Sequence, residues 1–257
     1  MKSTLIIKQQ EPDTDYNMPL TIGSGITVGG GVNITSIADY VTANLVLNLD
    51  AGLTSSFSGN TSWVDTVNGL SFTLSGSPTF SSNNGGYLNF VPASSQSASS
   101  GNQSFGSLSR WTVEAWHYYT GTNSAGLPCI LTELYPGANS RINFSLGTNT
   151  VAGLQNGYFD GAWRVTSAYA LTSNAWYHII GTYDGTTVKL FVNNTMVQNA
   201  VQGTTSSSSG GGIRLMRRWD GAEYWGGRLG VVRIYNTAFS NVQIDQNYQA
   251  VRSRFGL

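Results

Sequence analysis

The stretch Trp111–Tyr119, WTVEAWHYY, decides how the rest of the chain is read. Trp111, Val113 and Ala115 alternate with Thr112, Glu114 and Trp116, which is the period-two pattern of a β-strand whose side chains point to opposite faces. Two later phrases extend the theme. Trp176–Asn194, WYHIIGTYDGTTVKLFVNN, breaks at Asp184-Gly185-Thr186 into two runs that predict a hairpin. Arg228–Tyr248, RLGVVRIYNTAFSNVQIDQNY, begins as a strand and ends inside a helix.

Working outward, LVLNLDAG sets Leu45, Leu47 and Leu49 on one strand face before a turn at Asp50–Gly52. SWVDTVNGLSFTLSG gives two short runs around Asn68-Gly69, a local hairpin signal. YLNFV, CILTEL, RINFSLGT, AWRVTSAY and IRLMRR read as further strands, whereas SSQSASS is too polar to assign. The C-terminus breaks the pattern. Ser240 followed by Gln243 forms a capping box, Ile244, Tyr248, Val251 and Phe255 share one helical face, and Gly256 is placed to close the helix. About a dozen strands with a single helix predict two packed antiparallel sheets.

Bulk properties agree. A chain of 257 residues, 40% hydrophobic and 12% aromatic, can bury one good core and carry a short extension. With 31 glycines and only 10% charged residues, its surface is dominated by Ser, Thr, Asn and Gln, which suits short strands joined by tight turns. The net charge is zero, and the one basic cluster, Arg214, Arg217 and Arg218, is too small to track a nucleic-acid backbone, so no nucleic-acid partner is expected. The single cysteine, Cys129, excludes an internal disulfide and is expected to be a small buried hydrophobe. No apolar run approaches the roughly 20 residues of a membrane span, and Leu5–Ile7 is too short for a signal-peptide core. Membrane insertion and secretion are therefore not expected, and the Asn-x-Ser/Thr triplets are read as coincidences of a polar surface.

Residues 1–43 differ in character from 44–257. In PLTIGSGITVGGGVNI, Ile22, Ile26, Val28, Val32 and Ile34 recur between glycines, too little side-chain mass for a core. The segment is read as an extended assembly arm that gains order by pairing with another chain or by laying itself on the domain, the alternative being a partly ordered leader; pairing would make a homo-oligomer.

In order along the chain, LVLNLDAG, WTVEAW, WYHIIGTYDGTTVKLFVNN and GRLGVVRIYNTAFSNVQI resemble the successive landmarks of the laminin-G-like, concanavalin A-like jelly roll. The resemblance covers about residues 44–257. It implies an all-β sandwich of two curved antiparallel sheets, with binding loops along one rim or on the concave face. More narrowly, GSGITVGGGVNI and the ending DQNYQAVRSRFGL are similar to segments of tailed-bacteriophage virion proteins. That similarity implies a virion structural protein, assembled in the host cytoplasm and held to other virion proteins by its arm.

Catalysis is not expected. Glycoside hydrolysis needs two facing carboxylates, and glucanases of this broad fold carry alternating acidic residues on one strand; here Glu114 and Glu133 each stand alone. His117 and His178 lie on strands expected at the sheet centre and are read as core histidines, with no ligand spacing for zinc. No cofactor is expected; a structural calcium, which the resemblance implies as an option, would use Asp160 or Asp220, although Asp-Gly is also a plain turn signal. The sharper possibility is sugar binding, because sugar rings stack their C–H faces on aromatic rings while polar neighbours bond the hydroxyls. NGYFDGAWR supplies Tyr158, Phe159 and Trp163, and RRWDGAEYW supplies Trp219, Tyr224 and Trp225. Three readings follow: a displayed, lectin-like virion protein contacting host-surface glycans; a glycan-degrading enzyme whose carboxylates converge from different strands; and a decoration protein whose aromatic loops touch only neighbouring subunits.

Overall fold

The computed structural model describes residues 39–103, 106–124, 126–133, 142–147, 153–203, 206–208 and 210–257, all within the compact unit Ser36–Leu257. The arm positions Ile22, Ile26, Val28, Val32 and Ile34 lie outside the described residues. Tyr40 and Val41, assigned to the arm from sequence, pack on the folded unit: Val41 is buried and its amide donates to Asn247 Oδ1.

The first half of the chain forms β1 (Leu45–Asp50), β2 (Ser62–Val64), β3 (Ser71–Ser75), β4 (Thr79–Ser81), β5 (Tyr87–Phe90), β6 (Ser97–Ser99), β7 (Trp111–Asn123) and β8 (Cys129–Glu133). The second half adds β9 (Ile142–Gly147), β10 (Gln155–Phe159), β11 (Trp163–Val165), β12 (Ala175–Tyr183), β13 (Thr187–Val192), β14 (Thr195–Val201), β15 (Ile213–Leu215), β16 (Trp225–Tyr235) and the helix α1 (Asn241–Phe255). One eight-stranded sheet runs β14-β13-β12-β7-β16-β5-β4, with β1 also on β16; the other runs β11-β10-β9-β8-β15-β6-β3-β2. Every named pairing is antiparallel, as an expected jelly-roll sandwich requires.

The alternation in β7 is obeyed on both faces. Trp111, Val113 and Ala115 enter the main core between the sheets, where they meet Leu47, Leu49, Phe144, Leu146, Ile179, Ile213 and Leu215. Trp116 points the other way and packs with Trp176, Val231, Val251 and Phe255 beneath α1. A strand buried on both faces reads as nearly continuous apolar sequence, as this one does. In β1 the simple alternation fails. A register shift between Leu45 and Leu47 sends Leu45 to the helix-side cluster with Val41, Tyr235 and Phe239, while Leu47 and Leu49 keep the core face.

The helix forms as its caps dictate. Ser240 accepts from the Gln243 amide, Gln243 returns a bond to the Ser240 backbone, and Gly256 closes the end at φ 77°. Ile244, Val251 and Phe255 are buried, and Tyr248 stacks on Trp116 at 6.1 Å. Arg254 then pins the helix end to two turns, bonding Asp50 at 2.8 Å, Gly86 O at 2.8 Å and Asn84 O at 2.9 Å. Those turns touch so closely that a Cβ on Gly52 would lie 1.9 Å from Gly85 O. Backbone must therefore shift to admit even a methyl group, and Gly52→Ala is expected to lose about 1–3 kcal/mol in chemical denaturation. A loss below about 0.5 kcal/mol would show that the two turns yield easily.

SSQSASS, unassigned from sequence, holds β6, which is paired on both sides. The alternation of Ser and Ala is strand-like, with Ala98 fully buried, but hydroxyl side chains hide it from a hydrophobicity reading.

Candidate functional site

Because α1 covers the outward face of the first sheet, the second sheet's outward face is the one to examine. Register carries one row across it: Thr73 faces Ser99, Ser99 faces Arg214, Arg214 faces Thr132, Thr132 faces Ser145, Ser145 faces Gly157 and Gly157 faces Val165. Small and polar side chains make this face unlike the apolar core side. Arg214 is the row's single charge, set outward because its neighbours Ile213 and Leu215 are buried in the core.

Above this face lies the turn that joins β15 to β16. It is an irregular hairpin: the amide of Arg218 donates to Glu223 O, Arg217 pairs with Tyr224, and the Gly221 amide donates to Arg218 O. Its tip places Trp219 against Trp163, ring centroids 4.5 Å apart, and Trp163 in turn meets Phe159 at 5.3 Å. Trp163 sits on β11, four strands from β15. At about 4.8 Å per strand that is roughly 19 Å, so the hairpin leans across the intervening strands. Cys129 on β8 reports the same overlap. Burial pushes its thiol up to about 12, Ser145 and Arg218 pull it down, and Asp220 and Glu223 push it up again. The cysteine is thus the buried small hydrophobe expected from sequence, lying within electrostatic reach of the hairpin.

The two aromatic loops picked out in the sequence therefore converge, but not every member faces outward. Phe159, Trp163, Trp219 and Tyr224 are half-buried. Tyr158 and Trp225 leave the candidate contact set. Tyr158 is fully buried in the core against Tyr183 at 5.0 Å, because strand alternation turns it inward between Gly157 and Phe159. Trp225 is 2% exposed and donates from Nε1 to His117 Nε2 at 3.0 Å. Arginine interleaves with the remaining rings: Arg217 lies over Tyr224 at 4.9 Å and Arg218 over Trp219 at 5.0 Å.

The two calcium candidates are engaged elsewhere. Asp160 accepts from Arg164 Nε at 3.2 Å and from the Ala162 amide, and Asp220 pairs with Arg218 at 2.5 Å and caps the Ala222 amide. Each closes an Asp-Gly turn. Among the described residues, no group of three or more His, Cys, Asp and Glu is gathered for a metal. Glu223 is also held, by Arg218 and by the Leu127 amide.

The lone carboxylates and the histidines are buried. Glu114 is fully buried and Glu133 is 1% exposed, and they belong to different sheets. Glu114 accepts from Trp116, His178, Arg233 and Asn247, so it anchors α1 rather than facing a cleft. His117 and His178 lie on β7 and β12, the centre of the first sheet; both ring nitrogens of His117 are bonded, to Arg228 O and Trp225, and Nε2 of His178 bonds Glu114.

The comparisons with known proteins agree with this architecture. A laminin-G-type family model, described as the concanavalin A-like lectin/glucanases superfamily, matches residues 92–245, more than half of the chain. Domain 4 of AbnA, a GH43 extracellular arabinanase from Geobacillus stearothermophilus solved with arabinotriose, superposes with a TM-score of 0.64 at 13% identity, over 80% of this chain and 98% of that one. A Trypanosoma rangeli sialidase solved with the inhibitor DANA gives a TM-score of 0.58 at 14% identity, over 81% of this chain but 33% of the sialidase. The receptor-binding domain of botulinum neurotoxin type G gives 0.55 at 11% identity, over 80% of this chain and 51% of that one. The chain thus spans about a third of the sialidase's length, and at these identities the likeness is one of fold. No curated protein sequence matches the chain.

Proposed function

Because the chain belongs to the concanavalin A-like lectin/glucanase superfamily, we propose that it is a non-catalytic, lectin-like module that grips sugar rings at the Trp163–Trp219 rim. One observation carries the reading. Two loops far apart in sequence, each rich in aromatic and hydrogen-bonding residues, meet ring to ring at 4.5 Å over the polar face of the second sheet. Half-buried rings held by neighbours are pre-ordered, so little side-chain entropy is lost when a sugar stacks on them. The arabinotriose bound to the arabinanase domain is consistent with a sandwich of this shape accepting a glycan. Against catalysis stand the buried Glu114 and Glu133 and the arginine-bound Asp160, Asp220 and Glu223. A general acid and its partner carboxylate would have to face one another across a sugar.

A glycan array probed with the full chain tests this, with Trp219→Ala as the comparison. Loss of the ring is expected to weaken the best binder about tenfold or more, equivalent to roughly 1.4 kcal/mol, with the fold retained. Binding that survives both Trp163→Ala and Trp219→Ala would remove the rim from the site. Hydrolysis of the bound glycan would restore the enzyme reading.

The setting we propose, on the two segment resemblances alone, is a phage virion, with the glycine-rich N-terminal arm holding the chain to neighbouring copies or other virion proteins. Many displayed copies would convert weak sugar contacts into firm adhesion through effective concentration. Light scattering of the full chain and of a chain beginning at Ser36 provides the check, because Tyr40 and Val41 belong to the fold and must be kept. Identical monomers in both samples would sink the assembly role of the arm.

A further inference from the structure

The outward face of the second sheet holds a cation with unmet donors. Arg214 is half-buried, and its Nε and Nη1 are sealed from solvent without a hydrogen-bond partner. A guanidinium presents five donors in a rigid planar fork, and native proteins rarely leave such donors dry and unmet. A second guanidinium lies alongside. A Cβ built on Gly221 would fall 2.2 Å from Arg214 Nη1 and 3.1 Å from Arg217 Nη2, so both side chains crowd the same bare stretch of the hairpin tip. Arg217 spends one donor, Nε, on Gly221 O at 2.6 Å and lies over Tyr224.

The nearby carboxylates do not answer this charge. Asp220 and Glu223 both pair with Arg218, and among the described residues no ion pair involves Arg214 or Arg217. Burial and then the charge of Arg217 lower the pKa of Arg214, while Asp220 and Tyr224 act in the opposite sense and do not cancel the shift. Like charges kept together, with dry donors and no ion pair of their own among the described residues, describe a site shaped for an anion from outside.

We propose that Arg214, with Arg217 beside it, is the subsite for the acidic group of a charged sugar, its carboxylate taken by the guanidinium fork. This inference rests on the glycan-binding reading and adds the class of glycan. The carboxylate meets the donors that a neutral sugar leaves unmet, while other rings of the same glycan reach the aromatic rim. Gly221, at φ +86° and without a side chain, allows the hairpin tip to lie directly on the fork, so a carboxylate reaches these sealed donors only if that tip moves aside.

The test is an array carrying neutral, uronate-bearing, sialate-bearing and sulfate-bearing glycans, probed with the full chain at low and high salt. Acid-bearing glycans are expected to bind at least tenfold more tightly than their neutral counterparts, with the advantage reduced by salt and abolished in Arg214→Gln. Arg217→Gln, on the hairpin rather than the sheet, should reduce the same advantage if Arg214→Gln fails to fold. Preference for sulfate over carboxylate would keep the anion subsite but overturn its carboxylate assignment. Neutral glycans bound as tightly as acidic ones, or an acidic preference untouched by either variant, would overturn the subsite and leave the lectin reading standing. Absence of binding to any glycan would overturn both.

Discussion

Glu114→Ala will lose about 3–5 kcal/mol of folding stability at neutral pH, a large share of the roughly 5–15 kcal/mol that holds a typical domain together. The carboxylate is fully buried under α1 and Arg233 is 1% exposed, so neither charge has water to fall back on. Oε1 accepts from Trp116 Nε1 at 3.0 Å, His178 Nε2 at 3.0 Å and Arg233 Nη1 at 3.2 Å, and Oε2 accepts from Asn247 Nδ2 at 2.6 Å. Burial alone would push this carboxyl up. The charge of Arg233, the hydrogen bond and charge of His178, and the Trp116 bond outweigh it and hold the group at about 2. Removing the carboxylate leaves the Arg233 guanidinium charged in a dry site, held among the described residues by Asn48 Oδ1 and the ring of Tyr40. Asn247 loses one of the bonds that tie the helix to the sheet. Glu114→Met combined with Arg233→Met is expected to be more stable than either single variant, because an apolar pair strands no charge. Urea denaturation of the four variants decides it; a loss under about 1 kcal/mol for Glu114→Ala would mean water reaches Arg233.

The sandwich was legible because its signals are local. The two-residue period of Trp111–Trp116, the turn at Asp184–Thr186 and the capping box at Ser240 each act within a few residues, and each appears where the sequence put it. What sequence missed depends on contacts across the chain. Leu45 changes face through a bulge opposite Tyr235, and Ser97–Ser99 becomes a strand because Thr73–Ser75 and Arg214–Leu215 flank it. The candidate site divides the same way. Both aromatic loops were visible as compositions, and their meeting gives that reading a geometry. Which rings face outward was not visible, because Tyr158 and Trp163 differ only in the strand face they occupy. Strict alternation from Gly157 would have hinted that Tyr158 points inward. Arg214 was seen only as one member of a small basic cluster. Its meaning comes from Arg218, which takes both neighbouring carboxylates and leaves Arg214 and Arg217 without them.

That division also explains why one fold can separate stability from recognition. The first sheet's outward face is closed by a helix and a polar network in which the buried Glu114 and Arg233 charges answer one another. The second sheet's outward face is polar, bare at Gly147 on β9 and Gly157 on β10, and crossed by a hairpin whose charges do not all match. Local mismatch of this kind is tolerated where the surrounding core is secure, and the main core joins both sheets with large, fully buried side chains such as Trp63, Trp111 and Phe72.

Acid will weaken the protein well before its carboxylates protonate, and His117 is the expected cause. Its ring is fully buried on β7, with Trp225 Nε1–H donating to Nε2 at 3.0 Å, so Nδ1 carries the proton and donates to Arg228 O at 3.0 Å. A second proton would have to sit on Nε2, facing the indole N–H. Burial drives the pKa down and the Arg228 carbonyl only partly opposes it, leaving the ring at about 3 against an ordinary 6.5. The unfolded chain therefore takes up a proton below pH 6.5 that the folded chain refuses until about pH 3. Stability is complete above pH 6.5 and falls by about 1.4 kcal/mol for each pH unit below it, or roughly 2 kcal/mol by pH 5. Glu114 acts in a lower window: its contribution is present above 4.5 and is lost only as pH falls towards about 2. The slope between pH 6.5 and 4.5 is thus assigned to the histidine. In His117→Gln, urea midpoints measured at pH 7, 6 and 5 should lie below wild type at pH 7 but converge on it by pH 5. A variant as acid-sensitive as wild type across that range would mean that His117 accepts its proton without unfolding, and that the buried contact with Trp225 yields.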